Sequence, residues 1–535
     1  MQQQTIILII HSNLDTMRKD LTPWHKRLQR VMTLALLATF AIVSAQAKDV
    51  ERWRVFELTL KAQTSGNPFT DTRLSAQFIH AHDTIHVDGF YDGNGIYKIR
   101  FMPTLEGKWK YVTQSNLRKL NHKRGSFTCV AARPGNHGPV SVVDTFYMAY
   151  ADGTPYHPFG TTCYAWVHQP DSLIQQTLQT LSQGYFNKMR MCVFPKSYDW
   201  NKNEPLRYPY EGKPLTDWDF TRFNPDYFRN LERQIAALDS LGIEADLIIF
   251  HPYDRWGFAN MGHEADDLYI DYLVARLSAY KNVWWSMANE FDFMKEKTDA
   301  DWAHFLERFA QKDPYAHLRS IHNAVRMFDQ RNPHITHVCI QNANIDQGRN
   351  LREQYGKPVV FDECRYEGNT PWVWGNLTGK EMTHKFWTAI TRGAYAGHGE
   401  TYITEQPRKS PFESDDILWW SKGGKLRGQS PARIKFLRQI VEQAPAQLRP
   451  APSLTSWMDY PVVSDKAGDY YLVYFNFDQP CQQLLHLPKG KAFQIEVIDA
   501  WDMTITPLPG TYSGDALVDL PGKPMIALRI SQTQR

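Results

Sequence analysis

Two glutamates of this 535-residue chain follow apolar segments that are typical of buried strands, and together they could hydrolyse a glycosidic bond. Glu290 ends the sequence Trp-Trp-Ser-Met-Ala-Asn-Glu, and Glu363 ends Lys-Pro-Val-Val-Phe-Asp-Glu. Glycoside hydrolysis needs two carboxyl groups, one to protonate the leaving oxygen and one to attack the anomeric carbon or to activate water. A single glutamate after a strand is common because loops favour charge, but a pair on two strands is more specific.

Polar and aromatic residues follow most of the other strand candidates, and we expect them to bind the substrate. The full set of candidate binding residues is Asn289, Arg190, His251, Tyr253, Asp254, Trp256, His322, Gln341, Tyr366, Glu367, Glu400, Trp419 and Trp420. Glu367 stands four residues after Glu363 and is a rival for the nucleophile. Asp362 is a weaker rival, because strand alternation points it away from Glu363. The tryptophans are either platforms for sugar stacking or packing at the rim.

Other chemistries have weaker signals in the sequence. His251, Asp254 and His322 are ligand-type residues, but they lie on different strands and show no His-Glu-x-x-His spacing. We therefore expect them to bind sugar hydroxyls, and we expect no metal or other cofactor. No serine stands in a Gly-x-Ser-x-Gly elbow, which disfavours an esterase. No Gly-x-Gly-x-x-Gly opens a helix after a strand, which disfavours a dinucleotide-binding fold.

The middle of the chain, residues 140–447, alternates short apolar runs with amphipathic helices. The eight strand candidates are residues 157–160, 188–194, 245–250, 283–288, 318–321, 335–340, 358–361 and 399–403. This alternation is typical of parallel strands with crossover helices, and eight strands favour a (β/α)₈ TIM barrel over an open sheet. Active sites of such barrels lie at the C-terminal ends of the strands, where the candidate residues stand.

The two flanking segments show strand patterns of a different kind. Residues 48–135 and 450–535 alternate with period two between turn residues, which predicts an N-terminal β-sandwich of immunoglobulin or fibronectin type and a C-terminal β-sandwich. The predicted fold class is thus α/β, a TIM barrel between two sandwiches. Residues 1–47 are expected to be a signal peptide, because a basic stretch and the apolar run 31–43 precede Ala45-Gln46-Ala47.

The composition narrows the partners. A formal net charge of +3 without a run of lysines and arginines argues against a nucleic-acid binder. The apolar run near the N-terminus is too short to span a membrane, so we expect export to the periplasm or the outside of the cell and no stable membrane insertion after cleavage. The six scattered cysteines predict free thiols. The remaining expected partner is a carbohydrate, in line with a 13% aromatic fraction.

The two glutamate motifs resemble those of glycoside hydrolase clan A, in which Asn-Glu closes strand four and a glutamate closes strand seven. The chain resembles more closely the secreted bacterial proteins that join an apiosidase-like barrel to an N-terminal and a C-terminal sandwich. The motif Gly95-Ile-Tyr-Lys-Ile-Arg-Phe-Met-Pro103 and the motif Trp419-Trp-Ser-Lys-Gly-Gly-Lys425 add to this resemblance. It covers essentially everything after the signal segment.

The resemblance implies a role for each matching residue. Glu290 would be the acid/base and Glu363 the nucleophile of a retaining double displacement, with Asn289 bound to the sugar 2-hydroxyl. Arg190 would lie beside Glu363 and keep it ionised. Clan members often place a tyrosine after strand six beside the nucleophile; here Tyr366 or His322 could take that place.

Two alternatives stay open at this point. One is a noncatalytic glycan-binding protein of a polysaccharide-utilisation system, and the other is an inverting hydrolase that uses the same pair. The expected substrate is a plant or microbial polysaccharide or oligosaccharide. The terminal sandwiches could bind glycan or brace the barrel.

Overall fold

The computed structural model describes residues 49–63, 65–214, 217–404 and 417–533. The predicted signal peptide at residues 1–47 lies outside the described residues. Within the described ranges, no helix combines the length and hydropathy that a membrane span requires. All six cysteines are free thiols, as predicted, and five of them are buried.

The N-terminal part is a β-sandwich, because short alternating strands bury one face each. Its strands are β1 (Asp49–Glu51), β2 (Phe56–Lys61), β3 (Leu74–His80), β4 (Asp83–Asp88), β5 (Phe90–Tyr91), β6 (Ile96–Phe101), β7 (Gly107–Ser115) and β8 (Arg124–Val130). One sheet has the order β1-β8-β7-β3-β4 and the other β2-β6-β5. Phe78 and Phe101 stack across the two sheets with their ring centroids 4.0 Å apart. A small antiparallel sheet then leads into the barrel, formed by β9 (Val140–Val143), β10 (Tyr147–Tyr150) and β11 (Pro155–Tyr156).

The central part is an eight-stranded parallel sheet curved into a near-closed barrel, which confirms the predicted fold class. Its strands are β12 (Gly160–Thr162), β13 (Lys188–Cys192), β16 (Glu244–Phe250), β17 (Val283–Ala288), β18 (Arg319–Ser320), β19 (Val338–Gln341), β20 (Val359–Glu363) and β22 (Tyr395–His398). The order β18-β17-β16-β13-β12-β22-β20-β19 follows the chain except that β22 closes the sheet between β12 and β20. Two insertions add β14 (Tyr210–Lys213) with β15 (Asp217–Phe223), and β21 (Glu367–Gly368) with β23 (Glu400–Thr401).

Amphipathic helices cover the outside of the barrel, and capping residues fix several of their ends. They are α1 (Asp171–Leu181), α2 (Pro225–Ser240), α3 (His263–Leu277), α4 (Asp299–Lys312), α5 (Gly348–Tyr355), α6 (Gly379–Thr391), α7 (Trp419–Lys422) and α8 (Ser430–Glu442). Thr298 and Asp301 form a capping box at the start of α4, and Thr378 and Glu381 form one at the start of α6.

The eighth strand differs from the prediction. The sequence places the eighth strand at 399–403, but the barrel strand is β22, whose Gly397 weakens the strand pattern. A Cβ at Gly397 would lie 2.5 Å from the backbone oxygen of Asp362, so the close approach of β20 requires glycine there. Glu400 and Thr401 instead pair with Glu367 and Gly368 above the barrel.

The C-terminal part is again rich in strands. They are β24 (Arg449–Pro450), β25 (Val462–Ser464), β26 (Tyr470–Tyr474), β27 (Gln482–His486), β28 (Phe493–Asp499), β29 (Thr504–Pro507), β30 (Asp515–Asp519) and β31 (Ile526–Gln532). Six form the sheet β24-β25-β26-β31-β28-β29, and β27 pairs with β30. Tyr474 stacks on Trp387 of α6, which joins this part to the barrel. The exact boundaries between the three parts stay predictions.

Candidate active site

Glu290 and Glu363 both lie at the C-terminal end of the barrel. Glu363 is the last residue of β20, and the N–H of Asn342 donates to its carbonyl oxygen at 3.0 Å. Glu290 has a left-handed backbone with φ of 52°, which is uncommon for a residue with a side chain. Hydrogen bonds from the N–H of Asn289 and of Phe291 to the neighbouring strand ends hold this conformation. The barrel thus fixes the direction of both side chains.

Gln341, the last residue of β19, bridges the two carboxylates. With its amide oriented from its hydrogen-bond partners, the nitrogen donates to Glu290 Oε1 at 3.2 Å and to Glu363 Oε2 at 3.1 Å. Because both distances end on one atom, these two carboxylate oxygens are at most 6.3 Å apart. The two carboxyl groups therefore face each other across a gap that is short enough for both to contact one carbon centre.

Each carboxylate also accepts a hydrogen bond from a tyrosine. The hydroxyl of Tyr164 donates to Glu363, and the hydroxyl of Tyr253 donates to Glu290. The hydroxyl of Tyr366 also donates to Glu363 and lies 3.4 Å from that of Tyr164. These donors restrict each carboxyl group to one orientation.

Arg190 of β13 lies below the pair, as expected. Its Nη1 is 3.7 Å from Glu363 Oε1 and donates to Asn289 Oδ1 at 3.3 Å. The Nδ2 of Asn289 in turn lies 3.3 Å from Glu290 Oε2. One guanidinium therefore connects the asparagine and both glutamates.

The charge state of Glu363 differs from the simple expectation. Burial raises the pKa of this carboxyl to about 8, while the hydrogen bond from Tyr366 lowers it. The guanidinium of Arg190, with its Nη1 3.7 Å from Glu363 Oε1, does not outweigh this desolvation. The free enzyme thus holds Glu363 close to its protonation midpoint at mildly alkaline pH.

A cavity of about 270 Å³ opens over the pair. Its walls come from the ends of six barrel strands and from the segment before α8. They comprise Tyr164, Lys196, Tyr198, Asp199, Trp200, Tyr253, Asn289, Glu290, Gln341, Glu363, Tyr366, Trp374 and Trp420. Larger hollows of about 630 and 840 Å³ lie at the N-terminal ends of the strands and beside the N-terminal sandwich, away from the end where barrel enzymes carry their chemistry.

Four of the candidate residues after β16 and β18 do not line the cavity, and three of them, His251, Asp254 and Trp256, support loops. His251 Nε2 lies 3.3 Å from the carbonyl oxygen of Phe194, and Trp256 Nε1 donates to Glu204 at 3.0 Å. Asp254 accepts two backbone N–H groups of its own loop, at 2.8 and 2.7 Å. His322 is fully buried, and burial lowers its pKa well below the usual value.

Glu367 and Glu400 are turned away from the cavity and anchor the segment before α8. Glu367 accepts hydrogen bonds from Tyr402, from the N–H of Gln429 and from both the N–H and the hydroxyl of Ser430. Glu400 accepts the N–H groups of residues 427 and 428. These donors occupy the carboxylate that made Glu367 a rival for the nucleophile. Of the tryptophan pair, Trp420 lines the cavity and Trp419 donates to Thr161.

Among the described residues, one group has the spacing of metal ligands: Glu367, His398 and Glu400. The hydrogen bonds above fill the acceptor positions of Glu367. The histidines and the aspartate considered from the sequence do not belong to this group.

Several residues of the cavity wall are absent from the predicted set of binding residues: Tyr164, Tyr198, Asp199, Trp200 and Trp374. Tyr164 could have been found, because it follows the first strand just as the other candidates follow theirs. Trp374 stands on a turn eleven residues after Glu363, and no local pattern in the sequence identifies it.

A barrel of this topology with two carboxylates facing across its C-terminal mouth defines the class of barrel glycoside hydrolases. The chain belongs to the Apiosidase-like catalytic domain family, whose profile matches residues 144–447. The flanking parts match two domains of unknown function, DUF5060 over residues 49–116 and DUF5605 over residues 457–531.

Solved structures agree with this assignment. A protein from Bacteroides vulgatus ATCC 8482, proposed to be a glycoside hydrolase, is 41% identical, with coverage of 91% of this chain and 100% of that one and a TM-score of 0.85. A glycoside hydrolase family 5 protein of the same organism is 15% identical, with coverage of 74% and 94% and a TM-score of 0.59, and shares the fold. No curated protein matches the sequence. The protein is a glycoside hydrolase.

Proposed function

We propose that the protein is a retaining glycosidase in which Glu290 is the acid/base and Glu363 the nucleophile. The observation that carries this proposal is the shared contact with Gln341, which limits the gap between the carboxylate oxygens to 6.3 Å. If each accepts one of the two N–H groups of the amide, the gap is about 5.5 Å, which is the spacing of retaining enzymes. Inverting enzymes need about 6.5–9.5 Å to admit a water.

The assignment of roles follows from the neighbours of each carboxyl. Glu363 lies beside Arg190 and receives hydrogen bonds from two tyrosines, and these contacts stabilise the ionised form that attacks the anomeric carbon. Glu290 is held by Tyr253 on the opposite side and stays free to donate to the leaving oxygen. Asn289, linked to Arg190, would bind the 2-hydroxyl of the sugar.

The substrate class follows from the cavity and from the family. A cavity of about 270 Å³ lies at the lower end of ligand-binding sites, which favours one terminal sugar over a long chain. The description of the family makes a terminal apiosyl residue of a plant or microbial glycan the first sugar to test. The aromatic walls formed by Trp374 and Trp420 suit the apolar faces of sugar rings.

The test combines variants with stereochemistry. Glu290→Gln and Glu363→Gln should each reduce kcat on glycan fragments by at least about 1,000-fold, with circular dichroism spectra like the wild type. Proton NMR of the first product should show the anomeric configuration of the substrate. With azide and an activated aryl glycoside, Glu290→Ala should regain turnover with retained configuration and Glu363→Ala with inverted configuration. An inverted wild-type product, or full activity of either glutamine variant, would refute the assignment.

A second outcome is a protein that binds glycan without turnover. It would show binding by isothermal titration and no reducing ends after long incubation. The alignment of both carboxylates on one amide argues against it, since binding alone does not need that spacing. Export to the periplasm or beyond the cell remains part of the proposal, to be checked by N-terminal sequencing of the mature protein.

A further inference from the structure

Lys196 lies in the wall of the cavity and contacts the faces of three tyrosines. Its Nζ is 3.6 Å from the ring centroid of Tyr164, 4.2 Å from that of Tyr253 and 4.8 Å from that of Tyr198. The residue is 2% exposed. Its backbone carbonyl accepts a hydrogen bond from the side chain of Asn201 at 2.7 Å, which fixes the backbone from which the lysine side chain extends between the three tyrosine rings.

The ammonium has an unusual environment for a buried lysine. Among the described residues, no aspartate or glutamate oxygen lies within 4.0 Å of its Nζ, so ring faces replace the usual counter-ion. Burial lowers the pKa of Lys196 to about 8. A methionine would fill a similar volume without this desolvation, so packing alone does not explain a lysine here.

Two of the three rings are those that hold the catalytic carboxylates. Tyr164 donates its hydroxyl to Glu363, and Tyr253 donates its hydroxyl to Glu290. A cation over the face of a phenol withdraws electron density from the ring and makes its O–H a stronger donor. One charge therefore acts on both carboxylates through two separate hydrogen bonds.

We propose that Lys196 is a positioning residue for both catalytic glutamates: its ammonium aligns Tyr164 and Tyr253 and strengthens the hydrogen bonds that they donate. This inference rests on the proposed roles of Glu290 and Glu363. It extends them by making the two carboxylates respond together to one side chain, whose ammonium also interacts with Glu290 through space.

Several titratable groups face the ammonium and must be considered in any pH profile. They are Tyr164 after β12, Arg190 and Cys192 in β13, Tyr198 after β13, His251 and Tyr253 after β16, Glu290 after β17, and His322 after β18. The two histidines have lowered pKa values and Cys192 has a raised pKa, in each case chiefly because of burial. They therefore stay uncharged between pH 6 and pH 8, whereas the pKa values of Lys196 and Glu363 are both about 8.

The experiment compares three variants of the full chain. Lys196→Met should lower kcat/KM by about 10-fold and move the acidic limb of its pH profile up by about one pH unit, because the carboxylates lose donor strength. Lys196→Arg keeps the charge and should restore most of both. Lys297→Met is the control: the side chain of Lys297 is 5% exposed and also lies over two rings, Phe250 and Phe305, but it has Asp266 as its counter-ion and lies outside the cavity.

The outcomes separate the possible roles. If Lys196→Met and Lys297→Met both lower the Tm but only the first moves the acidic limb, the inference holds. If Lys196→Met lowers the Tm and leaves the limb in place, Lys196 is only structural and the inference is refuted. An inactive wild-type enzyme on every glycan tested would refute the proposed function instead, and the two failures are therefore distinguishable.

Discussion

The substitution Glu363→Gln should stabilise the protein, and increasingly so as the pH rises. Burial raises the pKa of this carboxyl from 4.5 to about 8. In the folded state the group therefore stays protonated over a range in which the unfolded chain has already released the proton. Its contribution to stability is complete below pH 4.5 and is lost as the pH rises towards 8. Glutamine has the shape of the protonated acid and does not titrate.

The magnitude follows from the size of the pKa change. At about 1.4 kcal/mol per pH unit, the rise to about 8 corresponds to on the order of 5 kcal/mol between pH 4.5 and pH 8. Relaxation and water in the open cavity reduce this value, so a difference in Tm of several degrees is the expected result. The variant and the wild type should differ little at pH 5 and most at pH 8 to 9.

Differential scanning fluorimetry of both proteins from pH 5 to pH 9 provides the measurement. Glu57→Gln is the control, because Arg100 and Lys98 outweigh burial and lower the pKa of Glu57. That group is ionised in both states throughout this range, so its effect on Tm should not vary with pH. A Tm difference for Glu363→Gln that is flat or falls with pH would show that the carboxyl is not buried as the structure has it.

Three further changes test other parts of the site. Gln341→Leu should lower kcat/KM by about 10–100-fold, since it removes the hydrogen bonds that align the two carboxyl groups; an unaltered rate would refute the bridge. Arg190→Met should move the acidic limb of kcat/KM up by about one pH unit, because the nucleophile loses its cation; a limb that stays in place would contradict this. Gly397→Ala should destabilise the barrel by about 2 kcal/mol, because its Cβ meets the neighbouring backbone at 2.5 Å. Gly160→Ala meets nothing closer than 3.6 Å and should change the Tm much less.

The barrel could be predicted from the sequence because its strands are apolar runs with helices between them. Seven of the eight strand positions overlap the predicted ones, and β17 has the predicted bounds. The eighth failed because Gly397 breaks the hydrophobic pattern, although glycine is what lets β22 approach β20. A local sequence pattern reflects the strand propensity of each residue. The residue type at position 397 is instead determined by the short distance between the backbones of β22 and β20.

The arrangement of the cavity depended on contacts that no local pattern contains. Glu363 and Glu367 could not be ranked from the sequence, because both follow the same strand. The decision comes from Gln429 and Ser430, more than 60 residues further along the chain, whose N–H groups and hydroxyl occupy the Glu367 carboxylate. Tyr164 follows β12 and Glu363 ends β20, and these two strands lie on either side of β22. The hydrogen bond from Tyr164 to Glu363 therefore depends on the closure of the barrel, which no local pattern shows.

Asp362 and Glu363 show most directly why sequence alone cannot assign the roles of acidic residues. They are adjacent, yet the barrel gives them opposite electrostatic environments. Asp362 points into the interior, where Lys188 Nζ lies 2.6 Å from its Oδ1; burial opposes ionisation there, but Lys188 and Arg190 lower the pKa well below the usual range. Glu363 points to the mouth, where burial dominates and raises the pKa. The first is therefore a permanent counter-ion of the core, whereas the second has a pKa of about 8 and can gain or lose a proton at the mouth of the barrel.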